Sequence, residues 1–296
     1  MDEPREVRLE VEGAPTYAVA LGDGPPVVLL HGYGVSGSYM LPLARVLAES
    51  FTAYVPDLPG QGRSAPRAEA KGMRGLAAAL GDWMEAAGLA QPPVIANSMG
   101  CQIVTLLAAE QPERVGPMVL IGPTVDPARR RGRHQLFAAL RDSAREPWAL
   151  LVRAARDDAA VGPRALLSTA REVLADRVED RLPRIPQPTA VVRGGEDPFV
   201  GPEWAERAAL LLPRGRLFSV AGEPHAVHYT RPDLIAEIVA ELLVEEREHE
   251  GRDLSGRLEH RNVPARQSNE PGVREHPLPL LRNARGYEAI AFAPQE

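Results

Sequence analysis

Short apolar runs recur along the chain, and amphipathic stretches separate several of them. The runs are typical of parallel strands buried on both faces. They lie at residues 27–30, 53–55, 94–96, 118–121 and 189–192. Nearer the start, residues 7–11 and 16–21 alternate apolar with polar positions, which predicts an antiparallel pair with one solvated face. The chain therefore begins with two strands at the side of a larger buried sheet.

Helical periodicity marks the stretches between the apolar runs. Residues 73–87 place Leu76, Leu80 and Trp83 on one stripe, and residues 100–110 repeat the pattern. Later in the chain the pattern predicts helices at residues 202–212 and 232–246, with a strand at residues 217–220. The alternation of strands and helices predicts an α/β fold with a doubly wound, mostly parallel sheet.

This alternation stops between residues 126 and 186. Helical patterns with arginine-rich faces fill that stretch, at residues 136–145, 148–156 and 165–174. We therefore predict an α/β core formed by residues 1–125 and 187–246, with residues 126–186 inserted as a helical region.

The last fifty residues have a different composition. From residue 247 to residue 296 the charges are balanced, and large apolar residues are few before residues 278–281 and 287–292. Such a composition buries too little apolar surface to offset the entropy of ordering, so it predicts a largely disordered tail. Docking of the apolar segments on the body is the alternative.

Composition narrows the class of protein. Hydrophobic residues make up 44% and charged residues 25% of the 296 positions, as in ordinary globular proteins. The formal net charge of −6 argues against nucleic acid as the main partner, because phosphate neutralisation needs a basic face. The charged first residues argue against a signal peptide or an anchor, and no apolar run reaches the ~18–20 residues of a membrane span. With Cys101 as the single cysteine, internal disulfides and multi-cysteine zinc sites are excluded, and a cytoplasmic location is expected.

The strongest local signal is the segment of residues 94–100, which we call the nucleophile elbow. A buried strand runs through it into a helix by a sharp turn that holds Ser98 between small residues. Such a turn pushes the serine Oγ out at the carboxyl end of the sheet, and the helix N-terminus favours developing negative charge. The alternative for Ser98 is a helix N-cap.

A second signal follows the first buried strand, where residues 31–34 form a flexible turn. Its backbone amides can face the elbow and act as an oxyanion hole, since fixed N–H dipoles need little reorganisation as charge develops. For His31 in this turn we favour a structural, hydrogen-bonded role over that of a base.

Two further candidates follow late strands. Asp197 stands just beyond residues 189–192, and His225 stands just beyond residues 217–220. The order Ser98, Asp197, His225 is the one that a nucleophile elbow on such a sheet requires, with His225 as general base and Asp197 fixing its tautomer.

Other residues compete for these roles. Asp126 and Glu196 are alternative acids, and His228 lies three positions after His225. We expect His228 to be a surface residue or one behind the site, with lining of the pocket as the alternative. Cys101 is expected to be a small core residue.

These motifs together resemble the α/β-hydrolase fold family, over about three quarters of the chain. The matching segments are residues 31–32, 56–64, 97–100, 194–197 and 222–225. The resemblance implies an α/β-hydrolase fold, an oxyanion hole from the backbone N–H groups of Tyr33 and Met99, and a cap over the pocket at residues 126–186. It implies no cofactor, and we expect no metal.

Within that family, residues 97–100 are similar to the elbow of meta-cleavage-product hydrolases, which split carbon–carbon bonds. Those enzymes usually carry glycine where Ala96 and Cys101 stand, and tryptophan where Ala226 stands. We assign Asn97 of this elbow to substrate binding. Because of the departures, carbon–carbon cleavage is the alternative, and a carboxylic-ester hydrolase is the leading hypothesis.

The predicted cap holds 13 arginines against 9 acidic residues. Such an excess could attract an acidic substrate, but we favour solvated helix faces with some arginines paired to acids. The leading hypothesis is thus a serine hydrolase that forms an acyl-enzyme on a small or medium ester. A ligand-binding sensor with little turnover is the alternative outside the enzymes.

Overall fold

The computed structural model describes residues 3–143, 163–259, 281–282 and 287–291. Within these residues ten strands form one sheet. The strands are β1 (Arg5–Val11), β2 (Ala14–Leu21), β3 (Pro26–Leu30), β4 (Thr52–Pro56), β5 (Val94–Asn97), β6 (Met118–Ile121), β7 (Thr189–Gly194), β8 (Gly215–Val220), β9 (Leu281–Arg282) and β10 (Tyr287–Ala291). The helices are α1 (Leu41–Leu47), α2 (Gly72–Ala86), α3 (Met99–Glu110), α4 (Gly132–Ser143), α5 (Pro163–Ala175), α6 (Pro202–Leu211), α7 (Val227–Thr230) and α8 (Pro232–Glu259).

The strand order is β1-β2-β4-β3-β5-β6-β7-β8-β10-β9. Neighbouring strands from β4 to β8 run parallel, whereas β1, β2, β10 and β9 join the two sides of the sheet antiparallel. The predicted α/β-hydrolase fold, with its mostly parallel sheet and antiparallel opening pair, is confirmed.

Alternate residues of the central strands enter two cores. In β3, Val28 and Leu30 belong to the core that also contains residues of α2, α3 and α6, whereas Val27 and Leu29 belong to the core that contains residues of α1 and α8. Each fully buried aliphatic side chain stabilises the fold by roughly 1.5–3 kcal/mol. Burial on both faces is the reason that the sequence of these strands is apolar without alternation.

The strand order reverses at β3, which has β4 on one side and β5 on the other. The carboxyl ends of β3 and β5 lie side by side, with Leu30 paired to Ala96. In doubly wound sheets ligands bind at such a reversal, beyond the carboxyl ends of the strands. The predicted oxyanion turn and the nucleophile elbow both begin there.

The described part of residues 126–186 is helical. It contains α4, α5 and single helical turns at Pro127–Arg129, Val178–Asp180 and Leu182–Arg184. The helix predicted at residues 148–156 lies outside the described residues.

Buried arginine contacts fasten the end of this region to α3. Arg181 forms a bidentate ion pair with Asp176, both N···O distances being 2.7 Å. The same guanidinium donates to the carbonyl oxygen of Gln102 at 2.8 Å and to Thr105 Oγ1 at 3.1 Å. Because the guanidinium is almost fully buried, these bonds are needed to offset its desolvation.

The tail predicted to be disordered, residues 247–296, lies mostly outside the described residues, but its described parts, residues 247–259, 281–282 and 287–291, are helix and strand. Helix α8 continues to Glu259, and β10 adds to the outer edge of β8, pairing Tyr287 with Val220 and Ala291 with Arg216. Ala289 and Ile290 pack against the two cores. The open edge of β8 supplies backbone partners that no local composition reveals.

None of the helices within the described ranges combines the length and the hydrophobicity that crossing a bilayer requires.

Candidate active site

Ser98 stands between β5 and α3 in a strained conformation. Its φ of 55° and ψ of −119° lie in the left-handed half of conformational space, which costs a non-glycine residue about 1–3 kcal/mol. The Ser98 N–H donates to the carbonyl oxygen of Ile121 at 2.9 Å, and the Ser98 carbonyl accepts from Cys101 N–H at 3.0 Å. Bonds to β6 and α3 thus hold the sharp turn that the sequence predicts.

Two glycines allow the elbow to approach β3. A Cβ on Gly100 would lie 2.7 Å from the His31 carbonyl oxygen, and one on Gly32 would lie 3.1 Å from Ser98 Cβ. Side chains at these positions would therefore separate the turn after β3 from the nucleophile.

His225 and Asp197 are brought together from the ends of β8 and β7. His225 Nδ1 lies 2.7 Å from Asp197 Oδ2, and both side chains are almost completely buried. The other carboxylate oxygen accepts from the N–H groups of Phe199 at 2.8 Å and Val200 at 3.1 Å. A carboxylate held in this way orients the imidazole, so that Nδ1 carries the proton and Nε2 is left as the acceptor.

The structure adds Gly122, which sequence analysis missed. Gly122 follows β6 with a φ of +56°, and a Cβ there would lie 2.6 Å from His225 Cε1 and 3.2 Å from Asp197 Oδ2. The preceding carbonyl, that of Ile121, accepts the Ser98 N–H. The end of β6 therefore contacts all three predicted catalytic residues. A glycine directly after an apolar strand was the available signal.

Phe199 is a second residue that the sequence did not point to. Its ring is tilted by 51° against the His225 imidazole, with the centroids 4.7 Å apart. This packing limits rotation of the imidazole. No motif marks it, since the contact depends on how the loop after β7 folds.

The predicted oxyanion donors occupy suitable places. Met99 is the first residue of α3, so its N–H is one of those that a helix leaves without an intrahelical partner. Tyr33 is in the turn after β3, 38% exposed, and its hydroxyl donates to the Leu166 carbonyl oxygen of α5 at 2.9 Å. That bond joins the predicted cap to the predicted oxyanion turn. The oxyanion roles of Tyr33 and Met99 stay a prediction.

Asn97 is only 1% exposed. Its Nδ2 donates to the Ile121 carbonyl oxygen at 3.2 Å, beside the Ser98 N–H that the same oxygen accepts. These contacts stabilise the junction of β5 with β6. The assignment of Asn97 to substrate binding therefore stays a prediction.

The competing acids have other partners. Asp126 accepts from Ala128 N–H at 2.9 Å and from Gly201 N–H at 3.3 Å, and it pairs with Arg129. Glu196 forms an exposed ion pair with Arg141, 3.5 Å long. Of the three acidic residues, Asp197 is the one whose carboxylate forms a hydrogen bond with His225.

His31 and Cys101 are core residues. His31 is fully buried, its Nδ1 bonding the Gly32 carbonyl and its Nε2 accepting from Leu58 N–H, as a structural histidine does. Burial raises the pKa of the Cys101 thiol, which fits the expected core role.

His228 differs from the expectation. It is fully buried against the Tyr39 ring at 4.6 Å, so a surface role is wrong. Burial, with a smaller effect of His225, lowers its pKa to about 3. Neither ring nitrogen has a hydrogen-bond partner among the described residues.

Several arginines of residues 126–186 form ion pairs with acidic side chains. The pairs are Arg129 with Asp126, Arg130 with Glu179, Arg141 with Glu196, Arg177 with Asp180, and Arg181 with Asp176. The charge of these five side chains is therefore matched within the protein. In the described ranges no cluster of three or more histidine, cysteine or acidic side chains is arranged to hold a metal ion.

Known proteins share this arrangement of strands and loops. A model described as "Alpha/beta hydrolase family" matches residues 27–238. The chain is 29% identical over 244 residues to a pimeloyl-[acyl-carrier protein] methyl ester esterase of Stenotrophomonas maltophilia, covering 73% of this chain and 91% of that enzyme. These matches connect the described site with hydrolytic enzymes.

Two more similarities extend this picture. The chain is 29% identical over 251 residues to polyketide synthase ThaQ of Burkholderia thailandensis, but it spans only 12% of that protein's length. The solved structure of a serine hydrolase involved in carbazole degradation superposes with a TM-score of 0.72 and 21% identity, covering 82% of this chain and 99% of that one. At this identity the likeness concerns the fold.

Proposed function

Because the chain belongs to the alpha/beta hydrolase family, we propose that it is a serine hydrolase whose catalytic triad is Ser98, His225 and Asp197. The observation that carries the proposal is the buried 2.7 Å contact of His225 Nδ1 with Asp197 Oδ2. It lies at the sheet edge where Ser98 is held in its strained turn, and Gly122 contacts both members of the pair.

The mechanism follows from these contacts. Asp197 keeps the His225 proton on Nδ1, so Nε2 accepts the Ser98 hydroxyl proton as Oγ attacks the ester carbonyl carbon. The carbonyl oxygen becomes an oxyanion, which the N–H groups of Tyr33 and Met99 stabilise by hydrogen bonds. Collapse breaks the carbon–oxygen bond, and the imidazolium returns its proton to the leaving alkoxide.

The second half of the cycle uses the same residues. Water gives a proton to His225 Nε2 and attacks the acyl-enzyme carbonyl, and collapse releases the carboxylic acid and restores the Ser98 hydroxyl. Asp197 stabilises the imidazolium in both halves without itself taking up the proton.

The substrate that we propose is a small or medium carboxylic ester, with residues 126–186 as a cap over its pocket and Asn97 near the bound molecule. The similar Stenotrophomonas enzyme is a methyl ester esterase. The Tyr33 hydroxyl bond to the Leu166 carbonyl supports the cap, because it joins α5 to the turn beside Ser98. The single cysteine fits a cytoplasmic location for this activity.

The test is labelling with a fluorophosphonate probe, which reacts with an activated serine. Folded wild type is expected to form one adduct on the peptide that contains Ser98, and Ser98→Ala is expected to form none. The matched control is Ser50→Ala, which changes an exposed serine and should label like wild type. Circular dichroism verifies that each variant is folded. Absence of a Ser98 adduct in folded wild type would favour the sensor alternative.

Carbon–carbon cleavage remains the second candidate because residues 97–100 are similar to the meta-cleavage elbow. It is separated from ester hydrolysis by comparing kcat/KM for short p-nitrophenyl esters with kcat/KM for a coloured meta-cleavage product. We expect the ester to be preferred. A preference for the diketo acid by more than about 10²-fold, equal to ~2.7 kcal/mol, would overturn the ester proposal.

A further inference from the structure

The loop of residues 197–201, which we call the acid loop, connects β7 to α6 and carries the proposed catalytic acid. Phe199 and Val200 of this loop are held by residues close to them in sequence. The N–H groups of Phe199 and Val200 donate to Asp197 Oδ1, and the Val200 carbonyl accepts from Arg193 Nε at 2.8 Å. These bonds fix the shape of the loop, but they do not fix its distance from the predicted cap.

Two residues about seventy positions earlier in the chain, Asp126 and Arg129, also bind this loop. We call these two residues the clamp. Arg129 donates from one terminal nitrogen to the Pro198 carbonyl oxygen at 2.8 Å. Asp126 Oδ2 accepts from Gly201 N–H at 3.3 Å. Arg129 Nε lies 3.3 Å from the same carboxylate oxygen, so that the two side chains hold each other while each holds one end of the loop.

The clamp fits closely against the loop at Gly201. A Cβ there would lie 3.1 Å from a terminal nitrogen of Arg129 and 3.1 Å from Asp126 Oδ2. Glycine thus permits the contact of backbone with both charged groups at one point.

The same two residues begin the predicted cap. Asp126 Oδ1 accepts from Ala128 N–H and thereby caps the helical turn Pro127–Arg129. The Arg129 carbonyl accepts from Gln135 on α4 at 2.9 Å. A movement of the start of the cap therefore reaches the acid loop directly.

We propose that Asp126 and Arg129 are positioning residues, which set the place of Asp197 and Phe199 against His225 and couple the cap to the proposed triad. The proposal rests on the function proposed above. Displacing the loop moves both the carboxylate that orients the imidazole and the ring that packs on it. Misplacement of a catalytic group by about 1 Å lowers rates by up to about 10²-fold.

Stability alone does not require the clamp. The Arg129 side chain is 39% exposed, and without it the buried Asp126 carboxylate keeps its bonds from the N–H groups of Ala128 and Gly201, so the ion pair should contribute modestly to the free energy of unfolding. Loss of the clamp should therefore be visible in kcat more than in the melting temperature.

The experiment measures kcat, KM and melting temperature for Arg129→Met with a p-nitrophenyl ester. We expect kcat to fall about tenfold with KM and melting temperature nearly unchanged. The control is Arg141→Met, which removes a more exposed ion pair of the same region, with Glu196 beside Asp197, and should leave kcat and melting temperature unchanged. Arg129→Lys keeps the charge with a single nitrogen and is expected to restore part of the rate.

A double variant decides whether the clamp acts through Asp197. Adding Arg129→Met to Asp197→Asn should lower the rate little further, because the group to be positioned is already lost. An equal tenfold loss in that background would overturn the proposal, as would wild-type rates in Arg129→Met. If Asp197→Asn itself were harmless, the proposed function would fail instead, and the two failures are thus distinguishable.

Discussion

The nucleophile elbow and the acid loop present catalytic groups at the same sheet edge by different means. The elbow is one contiguous segment, residues 94–100, whose shape follows from a strand, a strained serine and a helix. The acid loop takes its place from Arg193 and from a clamp about seventy residues away. The position of the nucleophile is thus built into the local backbone, whereas the position of the acid depends on tertiary contacts.

The largest effects are expected when the nucleophile or the base is removed. Ser98→Ala and His225→Ala should each lower kcat on the order of 10⁶-fold, and the double variant should be little worse, because the residues act as a unit. Steady-state and single-turnover rates on one ester measure this. Losses that multiply in the double variant would contradict a shared mechanism.

The next effect belongs to the acid loop. Asp197→Asn should lower kcat about 10⁴-fold, because the amide no longer fixes the tautomer of His225. Asp126→Asn, acting through the loop, should cost far less. A larger loss in Asp126→Asn than in Asp197→Asn would reverse the assignment of the acid.

Gly122 lies where the elbow and the acid loop meet. Its substitution tests whether the triad needs the space that this glycine leaves. Gly122→Ala should lower kcat/KM about 10²-fold, because the new Cβ would push His225 away from its place. The control is Gly222→Ala, which has a similar positive φ but open space around the new Cβ. Equal losses in both variants would assign the effect to backbone strain alone.

The burial of His228 predicts how the free energy of unfolding depends on pH. Burial lowers its pKa to about 3, so below pH ~6.5 the unfolded chain takes up a proton that folded His228 refuses. The free energy of unfolding should therefore fall with pH, and His228 should contribute about 2 kcal/mol of the loss between pH 7 and pH 5.

The measurement is urea unfolding at the two pH values for wild type and His228→Leu. The variant should lose less stability on acidification, whereas His134→Gln, at an exposed histidine, should behave like wild type. Identical pH dependence of wild type and His228→Leu would show that folding does not lower the pKa of His228.

The smallest effect concerns β10, which supports the strand leading to His225. Ile290 is partly buried against the core, so Ile290→Ala should lower the free energy of unfolding by about 1 kcal/mol. Val244→Ala, at an exposed aliphatic residue, should change it by less than about 0.5 kcal/mol. Equal values would mean that β10 adds nothing to the core in solution.

The same contrast between local and distant contacts determines what could be predicted from sequence. The parallel strands, the elbow and the order Ser98, Asp197, His225 were predictable, because periodicity and turn chemistry act between neighbours. Gly122 and Phe199 were not, since their contacts with His225 arise only after separate strands assemble.

The strand pairing of residues 287–291 and the burial of His228 could not be predicted, for the same physical reason. The strand at residues 287–291 is apolar, but its place in the sheet depends on the free edge of β8. The burial of His228 depends on Tyr39, which lies in a helical turn, Gly37–Met40, far away in sequence. Composition records neither of these partners.

The late position of β10 in the sequence has a consequence for biosynthesis. β8 ends at Val220, but its partner begins only at Tyr287. At the ribosome's usual ~5–20 residues per second, roughly 3–13 s pass between synthesis of the two. During that interval the backbone groups of β8 are open to strands of neighbouring nascent chains. The yield of native protein in a cell should therefore depend on how quickly the codons for residues 221–291 are translated.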